Sequence, residues 1–250
     1  MNHNFRSQLR SGEVLIGTMI TLPTAATAEI LVDAGFDWLF IDGEHGPLEL
    51  SDILSILQAV GHRLPCVVRV PTAEEVPIKK VLDLGAAGII VPQVNTSKQA
   101  ADVVQFARYA PEGQRGVGLA RAHRYGMGFQ EYLESANEQI AVIVQAEHRL
   151  AVENIDSILQ VDGIDAIQLG PYDLSASLGK MGQIDDPVVV SAMDRVTRAC
   201  QSAGMPLGHF AISTETSKAY IEKGYTLISI GVDTLMLGSA AKHCLKQFRS

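Results

Sequence analysis

Two acids close two successive apolar runs. Glu147 ends QIAVIVQAE (139–147), and Asp173 follows Gly170-Pro171-Tyr172 at the end of IDAIQLG (164–170). Carboxylate oxygens are hard ligands. Two of them, with waters and a bidentate substrate, suit Mg²⁺, Mn²⁺ or Co²⁺ better than a zinc cage. No HxxxH pair or cysteine cluster competes. Either acid could instead cap the helix after it, and Asp173, before Leu174-Ser175-Ala176, is well placed to do so. His45 lies in Asp42-Gly-Glu44-His45, directly after an apolar run. An imidazole supplies a general base near neutral pH, and an adjacent acid orients it and raises its basicity. Arg69 sits inside PCVVRV (65–70). A guanidinium in a buried strand is costly unless paired, so Arg69 needs an anion or a carboxylate. Gln145 precedes Glu147 by two residues, and His209 and Asp233 fall near the ends of the last two apolar runs.

Those residues do chemistry together only if a fold gathers them. The chain reads as strand, turn, helix, repeated. Expected strands are 14–20, 37–42, 65–70, 88–93, 139–147, 164–170, 206–211 and 226–233. Expected helices are 24–34, 50–60, 74–84, 97–109, 150–160, 188–203, 213–223 and 234–248. The strands are short continuous apolar runs, as expected where a parallel sheet is buried on both faces. Eight such units in 250 residues predict one (β/α)8 TIM barrel, a single α/β domain over 1–250. An open doubly wound sheet would show a Gly-rich fingerprint after its first strand, and only Gly17 lies there. In a TIM barrel the C-terminal strand ends face one mouth, so the residues above would converge there. The long irregular segment 111–128, with Arg115, Arg121, His123 and Arg124, reads as a lid, an anion-binding rim, or a plain surface loop or subunit contact.

Composition narrows the classes. Apolar residues make up 47% and charged residues 19%, enough for a sizeable core and unlike a disordered chain. The net charge of -8 leaves no basic surplus to neutralise phosphates, which argues against nucleic acid as a partner. The apolar runs are strand-sized, and MNHNFRSQLRSGE lacks a hydrophobic signal segment, so no membrane or export is expected. The odd, scattered Cys66, Cys200 and Cys244 read as reduced buried thiols in a cytoplasmic protein.

The segments AGFDWLFIDGEHGP (34–47), VVRVP (67–71), IKKVLDLGAAGIIVPQV (78–94), ARYAPEGQRGVG (107–118), VIVQAE (142–147), GIDAIQLGPYDLSASLG (163–179) and GVDTLML (231–237) carry a resemblance over nearly the whole chain. It resembles the HpcH/HpaI class II pyruvate aldolases. The resemblance implies a hexameric (β/α)8 barrel, a divalent metal on Glu147 and Asp173, and no organic cofactor. It implies His45 as the base, with Asp42 beside it, and Arg69 as the residue stabilising the enolate. It makes Asp83 an acid that raises the basicity of the histidine. Gln145 and Gly170 would contact the substrate, and Tyr172 and Asp173 would offer backbone amides to the pyruvate carboxylate. The chain departs from the family pattern at Tyr172, in LARAHRYG after RGVG, and at His209. Those positions are expected to line the aldehyde side of the pocket.

The implied reaction is cleavage of a 4-hydroxy-2-oxo acid to pyruvate and a small aldehyde. The residues themselves disfavour a Schiff base, because no lysine lies at an expected strand end; Lys79 and Lys80 are in a helix. Oxaloacetate decarboxylation would use the same enolate. A CoA-thioester lyase would need a basic segment for the CoA phosphates, which is not evident. A non-catalytic metabolite-binding barrel is the remaining alternative. The closing helix carries Leu235, Leu237 and Leu245, and the resemblance implies that such a helix packs across a subunit boundary, so an oligomer is expected.

Overall fold

The computed structural model describes residues 4–249, so residues 1–3 and 250 of the expected domain lie outside it. Helix α1 (Phe5–Ser11) precedes β1 (Leu15–Ile20). There follow α2 (Ala25–Asp33), β2 (Trp38–Asp42), α3 (Leu50–Val60), β3 (Cys66–Arg69), α4 (Glu75–Asp83), β4 (Gly88–Val91) and α5 (Ser97–Ala107). A 3₁₀ turn (Arg121–Gly126) leads to α6 (Phe129–Gln139), β5 (Ala141–Ala146), α7 (Arg149–Glu153), α8 (Ile155–Ile158), β6 (Ala166–Leu169) and α9 (Pro171–Ser177). The chain ends with α10 (Pro187–Ala203), β7 (Leu207–Ala211), α11 (Thr214–Glu222), β8 (Leu227–Val232) and α12 (Asp233–Arg249).

The eight strands pair in sequence order, all parallel, and β8 closes on β1. This is the expected (β/α)8 barrel. Alternate strand residues divide the apolar mass between two cores. One lies between sheet and helices and includes Ile41, Val68, Ile89 and Ile167. The other fills the barrel with Trp38, Phe40, Val67, Ile90, Ile143 and Leu227. Gly17 makes room for the Trp38 indole, since a Cβ there would lie 2.5 Å from the ring.

Several local expectations change. The polar N-terminus forms α1, capped by the Asn4 side chain, and buries Phe5 and Leu9 against the barrel interior. Arg6 holds it down by donating to the buried Asp165 carboxylate at 2.8 Å. Two apolar residues in one short helix leave too weak a period to read in sequence. The expected helix 150–160 is two helices, broken at Asn154. Residues 171–177, outside the expected helices, form α9. Cys66 and Cys200 are buried, but Cys244 is exposed on α12.

The segment 111–128 follows α5 and precedes β5, so it lies at the end of the barrel opposite the mouth. It is no lid over its own site. Arg121 donates to the Leu57 and Leu84 carbonyls, at 2.8 and 2.7 Å, near the C-terminal ends of α3 and α4. Arg115 pairs with Asp83 at 2.6 Å and lies over the Tyr109 ring.

His209 also departs from expectation. It lies mid-strand in β7 with its ring stacked on Tyr220 of α11, centroids 3.5 Å apart. It therefore faces the helix layer and not the aldehyde side of the mouth. Burial, with Lys223 nearby, lowers its pKa to about 4. Unfolding frees the ring to bind a proton at an ordinary value, so this group's contribution is intact at neutral pH and is lost as pH falls from about 6.5 towards 4. His209→Phe should flatten the acid side of the stability curve by roughly 2–3 kcal/mol in urea unfolding across that range. An unchanged slope would count against the buried neutral ring.

Candidate active site at the barrel mouth

Asp42 and Arg69 are register partners at the C-terminal ends of β2 and β3. Both are buried. The guanidinium grips the carboxylate with two bonds: Nε donates to Oδ1 at 2.9 Å and Nη2 to Oδ2 at 2.8 Å. Planar two-point pairing of this kind fixes orientation as well as charge. Burial alone would raise the Asp42 carboxyl, but the Arg69 bonds outweigh it and hold it below the ordinary value. Burial likewise works against the Arg69 cation, yet Asp42, Glu44 and Glu147 together raise its pKa. The chain turns tightly here. The Gly43 N–H donates to the Arg69 carbonyl, and a Cβ on Gly43 would lie 2.7 Å from that oxygen.

Asp42 Oδ1 also accepts the backbone N–H groups of Glu44 and His45, at 3.1 and 3.3 Å. Asp42 thus shapes the loop and anchors Arg69; its carboxylate does not bond the imidazole. The imidazole side chain is 65% exposed, and its Nε2 lies 3.7 Å from Glu44 Oε2. Glu44 Oε2 also lies 3.2 Å from Arg69 Nη1. Asp83 does not reach His45 within one copy: it ends α4 at the far end of the barrel, bound to Arg115.

Glu147 follows β5 and is buried. Its Oε1 accepts the Gln93 N–H at 2.8 Å, and its Oε2 accepts the Gln145 amide. Gln93 reaches it from a left-handed backbone, φ 55°. Asp173 sits in the first turn of α9, where the N–H groups of Tyr172 and Asp173 have no helical acceptor. Gly170 must lack a side chain: a Cβ would lie 2.7 Å from Glu147 Cβ and 3.2 Å from the Gln145 amide nitrogen. Burial raises the Glu147 carboxyl to about 7; the Gln93 bond opposes this, and the carboxylates of Glu44 and Asp173 add to it.

The mouth therefore holds negative charge in excess. Gln145 Oε1 and Glu44 Oε2 are buried acceptors without a hydrogen-bond donor. Crowded carboxylates and unfilled acceptors are what a hydrated cation neutralises, so these residues fit a divalent metal. Among the described residues no three His, Cys, Asp or Glu side chains form a metal cage. Glu147 and Asp173 are the side chains here that could hold such an ion, with positions left for water and substrate.

The sequence reading assembled His45, Arg69, Gln145, Glu147, Gly170, Tyr172 and Asp173 at one mouth, and the fold brings these positions to that end. It named Glu44 only as an acid adjacent to His45, and it passed over Gln93, whose contribution is a backbone N–H that no side-chain pattern signals. A cavity of about 880 Å³ opens at the opposite end, lined by Phe36, Cys66, His123 and Tyr132 among others. It touches none of the converging groups, so its size does not make it the reactive site. The ion pair generates a test. Asp42→Asn should cost about 3–5 kcal/mol in urea unfolding by stranding a buried guanidinium, and Arg69→Met added to Asp42→Leu should recover most of that stability. An Asp42→Asn protein as stable as its parent would contradict this account.

The comparisons agree with the geometry. Residues 16–240 match the family model described as HpcH/HpaI aldolase/citrate lyase. The 4-hydroxy-2-oxovalerate aldolase of Rhodococcus jostii is 40% identical over 98% of this chain and 96% of its own length. The 2-keto-3-deoxy-L-rhamnonate aldolase of Escherichia coli is 38% identical over 100% of this chain and 94% of its own. A solved HpcH/HpaI family structure from Burkholderia cenocepacia superposes with a TM-score of 0.95 at 39% identity, covering both chains fully. With a closed eightfold barrel and full-length relatives of this kind, the chain belongs to the HpcH/HpaI aldolase/citrate lyase family.

Proposed function

We propose that the barrel mouth is the active site of a divalent-metal-dependent class II aldolase, which reversibly cleaves a 4-hydroxy-2-oxo acid to pyruvate and an aldehyde. The observation that carries this reading is the buried Arg69, locked by Asp42 beside the unneutralised pair Glu147 and Asp173. Glu147 and Asp173 would hold the metal, which when bound supplies Lewis acidity at the 2-oxo acid. Arg69 directs its guanidinium at the oxygen where negative charge develops as the C3–C4 bond breaks. One preorganised donor of that kind is worth on the order of 10²–10³ in rate. His45 takes the proton from the C4 hydroxyl, so the C4 carbon leaves as the aldehyde. The backbone amides of Tyr172 and Asp173 and the side chain of Gln145 orient the pyruvate half. None of the eight strands carries a lysine, which agrees with enolate chemistry without a Schiff base.

The choice among Mg²⁺, Mn²⁺ and Co²⁺, and the aldehyde itself, belong to the same proposal. Chelator-stripped protein should release no pyruvate from a 4-hydroxy-2-oxo acid and regain release on adding one of these cations. His45→Ala should lower kcat by about 100-fold or more with the melting temperature retained, and Arg69→Ala should lower kcat by at least as much in protein assayed below its own, reduced, melting temperature. Undiminished pyruvate release by the stripped protein would sink the metal assignment. Running aldehydes with pyruvate under each cation, and oxaloacetate in parallel, ranks substrate and metal together.

We further propose a homo-oligomer, with the hexamer implied by the resemblance as its form, in a cytoplasmic setting that suits three unpaired thiols. Helix α12 supports the oligomer. Leu235, Leu237, Leu245 and Phe248 stay exposed on a single copy. Among the described residues no helix is long and apolar enough to cross a membrane. Light scattering should give a mass several times that of one chain, and a stable monomer would overturn the oligomer.

A further inference from the structure

Asp233, an acid near an expected strand end, takes no part in the cluster around Arg69 and Glu147. It is buried at the start of α12, and both its oxygens are in use. Oδ1 accepts the Thr21 hydroxyl at 2.7 Å and the Thr234 N–H at 2.8 Å. Oδ2 accepts the N–H groups of Thr21 and Leu22, at 3.0 and 2.9 Å. Thr21 and Leu22 follow β1 directly, so they stand at the mouth end of the barrel. The seam between β1 and β8 is irregular just before this clamp. Gly17 pairs with Ser229, but Met19 pairs with Val232, so β8 holds one extra residue there. Gly231 lies in that stretch with left-handed backbone, φ 70°. A bulge at a barrel rim re-aims the side chains beyond it. The contact continues past Thr21. A Cβ on Gly46 would lie 3.7 Å from the Thr21 carbonyl oxygen, so the loop after β1 lies against the turn that carries His45.

Resting on the aldolase reading above, we propose that Asp233 is a positioning residue of the reaction: it clamps the loop after β1 as a fixed wall of the mouth, against which the Asp42–Gly46 turn is seated. Its action is through packing, since its charge is spent on four donors, none of them the imidazole. Every bond of the clamp is made within one copy. A carboxylate with four acceptor positions filled has none left for another copy, so a second copy laid on α12 leaves the clamp in place. A reacting group displaced by about 1 Å can lose on the order of 100-fold in rate. The groups proposed for the metal and the pyruvate half stand elsewhere: Arg69 on β3, Gln145 and Glu147 at β5, Asp173 on α9. Loosening the wall should therefore act chiefly on the step that uses His45, removal of the C4 hydroxyl proton. Oxaloacetate decarboxylation is the contrast, because there the enolate forms as CO2 leaves and no hydroxyl proton is taken.

The test uses the full-length protein. Asp233→Asn puts an amide donor opposite the loop N–H groups. With Mg²⁺ added, it should lower the ratio of 4-hydroxy-2-oxo acid cleavage to oxaloacetate decarboxylation about tenfold or more, through kcat, with KM within about threefold of the parent. Thr21→Val removes only the hydroxyl bond and should lower the ratio in the same direction by less. Thr21→Ser, which keeps the hydroxyl, should restore most of it. In metal-free protein, amide hydrogen exchange of Asp233→Asn should quicken both in 21–24 and in 42–48. Thr21→Val leaves α12 unaltered and carries the test should Asp233→Asn fail to fold or to keep the parent's mass in light scattering. Equal losses of both activities, or none, overturn the proposal, since a merely structural role predicts no change of ratio. So does quickened exchange confined to 21–24, because the wall would then not reach the His45 turn. Failure of the aldolase reading is distinguishable: the parent itself would release no pyruvate from the 4-hydroxy-2-oxo acid, whereas failure of the clamp appears in variants of an active parent.

Discussion

Uncompensated negative charge at the mouth is the constraint around which this barrel is arranged. Asp42, Glu44, Glu147 and Asp173 meet there, and Arg69 is the buried cation set among them. Bringing carboxylates out of water is unfavourable, and bringing several together is more so. Each local device limits that cost. Asp42 takes a two-point guanidinium, Glu147 takes the Gln93 N–H and the Gln145 amide, and Gly170 gives up a side chain so that these can fit. The leftover imbalance is retained, and it is the electrostatic basis of the cation site proposed there.

The scaffold tolerates this because the stabilising work is done elsewhere. Two extensive apolar clusters, one between sheet and helices and one inside the barrel, supply the packing, and the parallel strands complete their hydrogen bonds around a closed ring. Polar residues at strand ends are therefore placed by elements that do not depend on them. The buried Asp165, held by Arg6 and Arg108, shows the contrasting use of an acid: fully matched, at the far end, tying the first helix and the connection after α5 to the barrel.

Much of the architecture was legible because continuous apolar runs alternated with helical spacing eight times, and closure of eight such units allows few alternatives. The site was legible where a side chain stood at a strand end, as for Arg69 and Glu147. It was less so where facing direction decided the matter. His209 lies on the same strand as expected, but one residue's alternation turned it to the helices, where Tyr220 covers it. Asp83 ends α4 away from the mouth, and within one copy it meets Arg115 and not His45. Glu44 and Gln93 act through loop geometry, and loop conformation is the part of a fold least encoded in periodicity. The 3₁₀ turn and α6 were passed over although α6 carries Phe129, Tyr132, Leu133 and Ala136 at i, i+3, i+4 and i+7, a helical stripe of which only Ala136 is fully buried.

Phe5 and Leu9 of α1 join the aromatic packing inside the barrel at its lower end. The first helix is thus part of the barrel's own interior, since Phe5 packs on Trp38, whose indole in turn stacks on Phe40 of the same strand. Shortening the chain ahead of β1 would therefore uncover the indole and loosen β2, the strand that ends in Asp42.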